Sequence, residues 1–220
     1  VSRPLLLDLF CCEGGAAMGY HRAGFDVLGV DILPRARYPF PMVQADALEA
    51  LAGWNLERFA AIHASPPCHD HVRTFVAKDG TGELLARTRT ALEHAGLPWV
   101  IENVPGAPMR ADYKLCGCMF SLPKLTRERW FETSWHGFEM RPPCHHPEPS
   151  VTAAGTGIPS HSWYYGKVDG YEYHRLMREA MGIGWMTRAG LVQAIPPAYT
   201  EHIGRELLAA RRLSQGVLAC

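Results

Sequence analysis

The chain carries no excess of either charge: 22 lysines and arginines balance 22 aspartates and glutamates. That balance argues against a nucleic-acid binder driven by a basic tail and leaves room for a local basic cleft. Long apolar runs are also missing, and none could span a membrane. Val1-Ser2-Arg3-Pro4 leads directly into a strand with no leader-like segment before it, so a soluble cytoplasmic protein is expected. There is no internal repeat and no low-complexity tract. The seven cysteines form no framework, being odd in number, irregularly spaced and without a C-x-x-C pair. They read as reduced thiols. What is present is an ordinary globular composition. With 47% hydrophobic residues in 220, one sizeable domain with a full core is expected.

Leu5–Phe10 is an apolar run of strand length, followed by a turn with Gly14-Gly15 and a helix-like segment that Gly24 would cap. Phe25–Val30 is the next strand, with Asp31 at its end. Strand, glycine turn, helix, strand, acid is the opening of a nucleotide-binding α/β fold. The G-x-G-x-x-G of dinucleotide binders is lacking. A bunched glycine pair fits a compact adenosine-containing ligand better than a pyrophosphate, and packing alone is the competing explanation. Val43–Ala45 is a short strand. Asp46 after it suits both the N-cap of a helix at Ala47–Leu51 and a place facing an adenine amino group.

Phe59–Ala64 is a buried strand that Pro66 and Pro67 must stop, because proline fixes φ and has no N–H for a ladder. Cys68 then opens a loop, and a buried inert thiol is the competing reading there. Residues 69–82 are too long and too hydrophilic for a tight connection and read as a lid or a disordered segment. Glu83–Ala95 is helical with Gly96 as its stop. Leu97–Ile101 is a second strand that ends at polar residues, Glu102-Asn103. In a parallel sheet its end lies next to that of the Cys68 strand. Leu115–Phe120 and Thr126–Glu132 suggest a hairpin or a pair of strands. On a strand, Arg127 and Arg129 share a face, either as an ion-pair row or as an anion-reading surface. Residues 135–173 lose periodicity and are rich in His, Pro and Gly. Helices are expected at Tyr171–Met181, Thr187–Ala194 and Ala198–Leu213, the last with Pro197 near its first position. The domain reading is 1–134 for the catalytic and cofactor-binding domain, 135–171 for a small insert, and 172–220 for helices that return to the first part.

Taken in order, Asp8-Leu9-Phe10 with Gly14-Gly15, Pro66-Pro67-Cys68, Glu102-Asn103-Val104 and Arg127-x-Arg129 resemble the DNA cytosine-5 methyltransferases. The likeness runs from about Leu5 to Phe131 and again from about Ala180 to Leu208, and is greatest to compact members from bacteriophages and actinobacteria, with their link to restriction–modification. It implies a Rossmann-like α/β fold, a mostly parallel sheet flanked by helices with a small irregular target-recognition insert. It also implies S-adenosylmethionine as methyl donor, S-adenosylhomocysteine as product, and double-stranded DNA as partner; a monomer is expected. The implied catalytic residues are Cys68, Glu102, Arg127 and Arg129. A cysteine thiolate can add to C6 of a cytosine flipped from the duplex and later leave again. A carboxylic acid near N3 and a guanidinium near O2 stabilise the charge that addition creates. The implied cofactor residues are Asp8, Phe10, Gly14, Gly15, Asp31, Ile32, Asp46, Ala47, Pro66, Tyr199 and Thr200, with Ala198 near the methionine end. Arg73 and Lys78 are candidate DNA phosphate contacts.

This chain departs from the family in several places. Cys12 stands where glycine is usual, His69 and Leu125 where glutamine is usual, and Ile195-Pro196-Pro197 where Gly-Asn-Ser is usual. Glu13 replaces a small or apolar residue, so its carboxylate must turn away from a bound methionine carboxylate or pair with the amino group. His136, Cys144, His145, His146 and His161 offer a zinc set, weighed against a solvated His-rich loop; no metal ligand is assigned. The functional alternatives are an RNA (tRNA) cytosine-5 methyltransferase, an inactive nucleic-acid-binding relative, and a dinucleotide oxidoreductase, which the glycine spacing disfavours.

Overall fold

A computed structural model describes residues 2–67, 81–122, 125–135, 143–146 and 170–217. Cys68, Arg73 and Lys78, the segment His69-Asp70-His71, and His136 and His161 lie outside the described residues.

The strands are β1 (Leu5–Leu9), β2 (Asp26–Asp31), β3 (Met42–Gln44), β4 (Ala61–Ala64), β5 (Trp99–Asn103), β6 (Tyr113–Leu115) and β7 (Arg129–Thr133). They form one sheet in the order β3-β2-β1-β4-β5-β7-β6. The first five run parallel, whereas β7 pairs antiparallel with both β5 and β6. The chain moves outward from β1 to β3, then crosses back to β4 on the other side of β1. The strand order therefore reverses between β1 and β4, and in open α/β sheets the crevice that takes a ligand lies beyond the carboxyl ends of such a pair. Leu9 is in register with Ala64 there, and Ala64 with Ile101.

Side chains alternate across each strand, so the sheet has two distinct faces. Leu7, Leu9, Val30, Ile62, Ala64 and Ile101 pack under α2 (Ala47–Gly53) and α3 (Thr81–His94). Leu6, Val27, Ala61, Val100 and Phe131 pack under α1 (Gly15–Ala23) and the long last helix. Burying each large aliphatic or aromatic side chain contributes about 1.5–3 kcal/mol. The C-terminal helices are α4 (Gly170–Met181), α5 (Arg188–Gln193) and α6 (Pro197–Val217). Leu125, Tyr173, Met177, Met181, Ile183 and Leu191 make a separate small core that joins α4 and α5 to the main body. Helices α1 and α6 approach closely at Gly19, where a Cβ would stand 2.2 Å from the Pro197 carbonyl oxygen. Thr200 fills that spot and donates its hydroxyl to the Ala16 carbonyl at 2.9 Å. No helix among the described residues is long and apolar enough to cross a membrane.

Most expected boundaries fall within two residues of those observed. Gly24 and Asp46 cap α1 and α2 as expected, and Pro197 is the first residue of α6. Two expectations about the arginine region fail. Leu115–Phe120 is not a strand: β6 ends at Leu115, and Gly117–Phe120 is a 3-10 turn. Arg127 and Arg129 do not share a strand face, because β7 begins only at Arg129. The residues before it turn away to meet the C-terminal helices.

Candidate active site

The face under α1 and α6 changes character toward the carboxyl ends of its strands. Leu6, Ala61 and Val100 give way to Asp8, His63 and Glu102, with Asp31 and Ser65 continuing the row. Every one of these except Ser65 is buried.

On the β4–β5 side, Glu102 and Arg129 form an ion pair with Oε1–Nε at 3.0 Å. Burial pushes the Glu102 carboxyl above the ordinary carboxylate value, against the pull of Arg129, Arg127 and a hydrogen bond from Ser65. Ser65 in turn lies 2.8 Å from His63 Nε2, and His63 Nδ1 lies 3.0 Å from the Tyr20 hydroxyl. An ionised carboxylate only accepts, so Ser65 donates to Glu102. His63 Nε2–H then donates to Ser65, and Nδ1 accepts from Tyr20. Burial drives the His63 pKa down to about 3, so the imidazole is neutral, as this chain requires. The result is a one-way hydrogen-bonded line, Tyr20 to His63 to Ser65 to Glu102, ending at Arg129.

The end of β4 is held beside this line. Asn103 Nδ2 donates to the Pro66 carbonyl at 3.1 Å, while Asn103 Oδ1 accepts from Val104 N at 2.9 Å. Pro66 and Pro67 are the last described residues before Cys68.

On the β1–β2 side, burial pushes the Asp8 carboxyl up to about 8, with Tyr38 donating to Oδ2 at 3.2 Å. Asp31 accepts from Cys12 N at 2.9 Å and Leu33 N at 3.0 Å and pairs with Arg35 at 3.0 Å. A ribose at Asp31 would have to share or displace Arg35. Ile32 beside it is an apolar side chain left 65% exposed. Asp46 accepts from Leu48 N and Glu49 N and caps α2; Ala47 behind it is buried. The turn after β1 is tightly coiled, with left-handed φ at Phe10, Cys12 and Gly14. A Cβ on Gly14 would meet Pro39 at 2.7 Å, and one on Gly15 the Ile195 carbonyl at 2.4 Å. Packing against the protein's own chain therefore accounts for both glycines.

Glu13 is turned out of the crevice. Its carboxylate accepts from Thr187 N and Thr187 Oγ1, each at 2.7 Å, at the N-terminus of α5. An anion is favoured at that end of a helix.

Three expected site residues have packing duties. Arg127 is buried and donates to the carbonyls of Ala194 (2.8 Å) and Val192 (2.6 Å). Tyr199 is fully buried and donates to the Arg127 carbonyl at 2.8 Å. Thr200 is fully buried between α1 and α6. These three brace the wall of the crevice from behind. His63 and Tyr20 were not singled out from sequence; a histidine inside an apolar strand was the available signal.

The fold is that of the Rossmann-like S-adenosylmethionine methyltransferases. Among solved structures, a mutant DNMT2 from Spodoptera frugiperda is similar at TM-score 0.62 and 12% identity, covering 93% of this chain and 99% of that one. The methyltransferase EhMeth from Entamoeba histolytica is similar at 0.58 and 13%, covering 96% and 99%. The S. pombe Dnmt2 methyltransferase follows at 0.56 and 12%, covering 94% and 99%. No protein-family profile matches the chain, and no curated protein matches it in sequence.

Proposed function

We propose that this chain is an S-adenosylmethionine-dependent DNA cytosine-5 methyltransferase that acts on a flipped cytosine in a short duplex sequence. The observation that carries this reading is the buried Glu102–Arg129 pair, set beside the strand end that leads through Pro66 to Cys68. The donor set suits the cofactor: acids at the ends of β1, β2 and β3, an exposed apolar Ile32 for a ring to cover, and Glu13 turned away. Asp31 would take the ribose, Asp46 the adenine edge, and Phe10 and Pro66 the walls. When bound, S-adenosylmethionine supplies an electrophilic methyl group and leaves as S-adenosylhomocysteine.

The remaining work belongs to the chain's own residues. The Cys68 thiolate adds to C6 of the base, forming an S–C bond and making C5 nucleophilic. Glu102, its affinity for a proton raised by burial, meets N3 with a hydrogen bond or that proton. Arg129 stabilises the charge at O2. After methylation at C5 a base removes the C5 proton, and the Cys68 thiolate is expelled. Arg127 acts from behind, through the main chain next to Arg129. Arg73 and Lys78 are assigned to DNA phosphates and residues 135–171 to target reading, where so short a reader implies a short recognition site. Cytoplasmic, monomeric action follows from the same reading.

The test is transfer of labelled methyl from S-adenosylmethionine to duplex DNA, with tRNA alongside. Transfer to DNA that Cys68→Ser abolishes, with DNA binding nearly intact, is expected. Activity surviving in Cys68→Ser would remove the nucleophile. Transfer to tRNA alone would keep the chemistry and change the substrate. No transfer to either would leave a nucleic-acid-binding module.

A further inference from the structure

Against Leu125 and Thr126, at the start of the arginine segment, four metal-ligating side chains converge. Cys116 follows β6 directly, and Cys118 lies two residues on in the 3-10 turn. Cys144 and His146 come from residues 143–146 of the insert. His146 Nε2 lies 3.0 Å from Cys144 Sγ and 3.3 Å from Cys116 Sγ; Cys118 and Cys144 sulfurs are 3.5 Å apart. All four ligand atoms fall within 4.8 Å of one another. In a tetrahedral zinc site with ordinary bond lengths, sulfur–sulfur separations are about 3.8 Å and sulfur–nitrogen separations about 3.5 Å. These four atoms are spaced like the corners of such a site.

The surroundings are built for it. His146 Nδ1 lies 3.3 Å from the Thr126 hydroxyl, which orients the ring and leaves Nε2 aimed at the sulfurs. Gly117, between the two cysteines, lets the turn lie flat on the arginine segment: a Cβ there would stand 2.4 Å from the Leu125 carbonyl oxygen. Cys116 is 1% exposed, whereas Cys144 reaches solvent, so a metal has a way in.

We propose that Cys116, Cys118, Cys144 and His146 bind one structural zinc ion that clamps the insert onto the segment carrying Arg127 and Arg129. Three thiolates and an imidazole are a soft, closed, four-protein-ligand set, which is the structural and not the catalytic form of a zinc site. Binding replaces the thiol protons with the metal and releases them to solvent. The ligands pair as Cys-x-Cys and Cys-x-His, far apart in sequence. This explains why no C-x-x-C spacing announced them, and why the His-rich insert alone supplies only half the set. Zinc at this position is independent of whether the chain transfers methyl groups.

The experiment is metal analysis of the full-length chain purified without a histidine tag. About one zinc per chain is expected, as closed four-ligand sites bind. Cys118→Ser and Cys144→Ser should each reduce zinc at least tenfold, whereas His145→Ala, next to the cluster but outside it, should retain it. Because a ligand variant could fail to fold, the wild-type chain is also loaded with cobalt(II). Intense visible bands with thiolate charge transfer are expected, and zinc should quench them. Substoichiometric zinc without cobalt uptake would overturn the proposal. So would a Cys118–Cys144 disulfide found by mass spectrometry in freshly purified protein, since closing that bond consumes two ligands.

Discussion

Two buried glutamates sit on adjacent antiparallel strands, and their surroundings differ in kind. Glu132 on β7 faces the α2–α3 side of the sheet. It accepts from Arg89 Nε at 3.0 Å and Arg89 Nη2 at 2.9 Å, from Arg110 N at 3.1 Å, and pairs with Arg110 Nη1 at 3.3 Å. Its lone pairs are fully engaged, and the group serves to tie α3 and the β5–β6 connection to the sheet edge. Glu102 on β5 faces the other side, with one guanidinium nitrogen on Oε1 and a serine hydroxyl as its side-chain partners among the described residues. Its carboxyl is held above the ordinary value by burial. A buried acid with a raised proton affinity is a poor structural device and a good proton carrier. On the proposed function, the sheet keeps its saturated acid on one face and its reacting acid on the other.

The sharpest way to break this comparison is to neutralise each acid in turn. Glu102→Gln should lower kcat by about 10²- to 10⁴-fold, the range for a lost general acid. Unfolding stability and cofactor affinity should change little. Intact kcat with weakened cofactor binding would assign Glu102 to the wrong role. Glu132→Ala should do the reverse. It leaves Arg89 only the Pro108 carbonyl and Arg110 only Asp112 and the Thr133 carbonyl. Because both arginines keep some solvent, the cost should lie below the ~3–5 kcal/mol of a fully buried broken pair. Urea unfolding measures this. A loss below about 1 kcal/mol would make the cluster equivalent to a surface pair and erase the distinction.

Much of the chemical face was legible because strand ends announce themselves. Prolines after β4, a glycine after α1 and acids at or near the ends of β1, β2, β3 and β5 are local signals, and the parallel order follows from the alternation of strand and helix. Arg127 was not legible. Its partners are carbonyls of Val192 and Ala194, so the two-residue spacing to Arg129 was read on a strand that had not yet begun. Glu132 was invisible for the same reason: Arg89 lies on α3, and nothing in the local pattern pairs them. The four-ligand cluster joins residues that are distant along the chain, half of them in a part of the sequence without periodicity.

The two faces should also differ in their response to pH, because the interior groups with the largest shifts, Asp8 and His63, lie on the α1–α6 side with Glu102. Asp8 is raised from 3.8 to about 8, so its contribution to stability is whole below pH 3.8 and is lost as pH rises toward 8. His63 is lowered from 6.5 to about 3, so its contribution is whole above pH 6.5 and is lost as pH falls toward 3. The two slopes oppose each other between pH 3.8 and 6.5 and nearly cancel. Above that the His63 slope is spent, and the Asp8 slope stands with Glu102, also raised by burial, acting in the same direction. Asp8 alone should lower stability by about 2 kcal/mol over the next one and a half units. Melting temperature against pH should show a plateau and then a decline, and Asp8→Asn should remove most of the decline. A wild-type melting temperature that rises between neutral pH and 8 would contradict the burial of an acid there.

The smallest expected effect is the most diagnostic of the line that feeds Glu102. Ser65→Ala removes the one hydroxyl between His63 and Glu102. A neutral hydrogen bond is worth about 1 kcal/mol, and stranding the His63 N–H adds a comparable penalty. Stability should therefore drop only slightly. The hydrogen bond from Ser65 lowers the Glu102 pKa, so its loss should raise that pKa further, and the limb of the kcat profile that reports Glu102 should move to higher pH. Ser65→Thr, which keeps the hydroxyl, should restore the wild-type profile. If Ser65 merely filled space, Ala would change stability without moving the profile. A moved profile would mean that the acid on the chemical face is tuned from Tyr20, across the sheet, through a neutral imidazole.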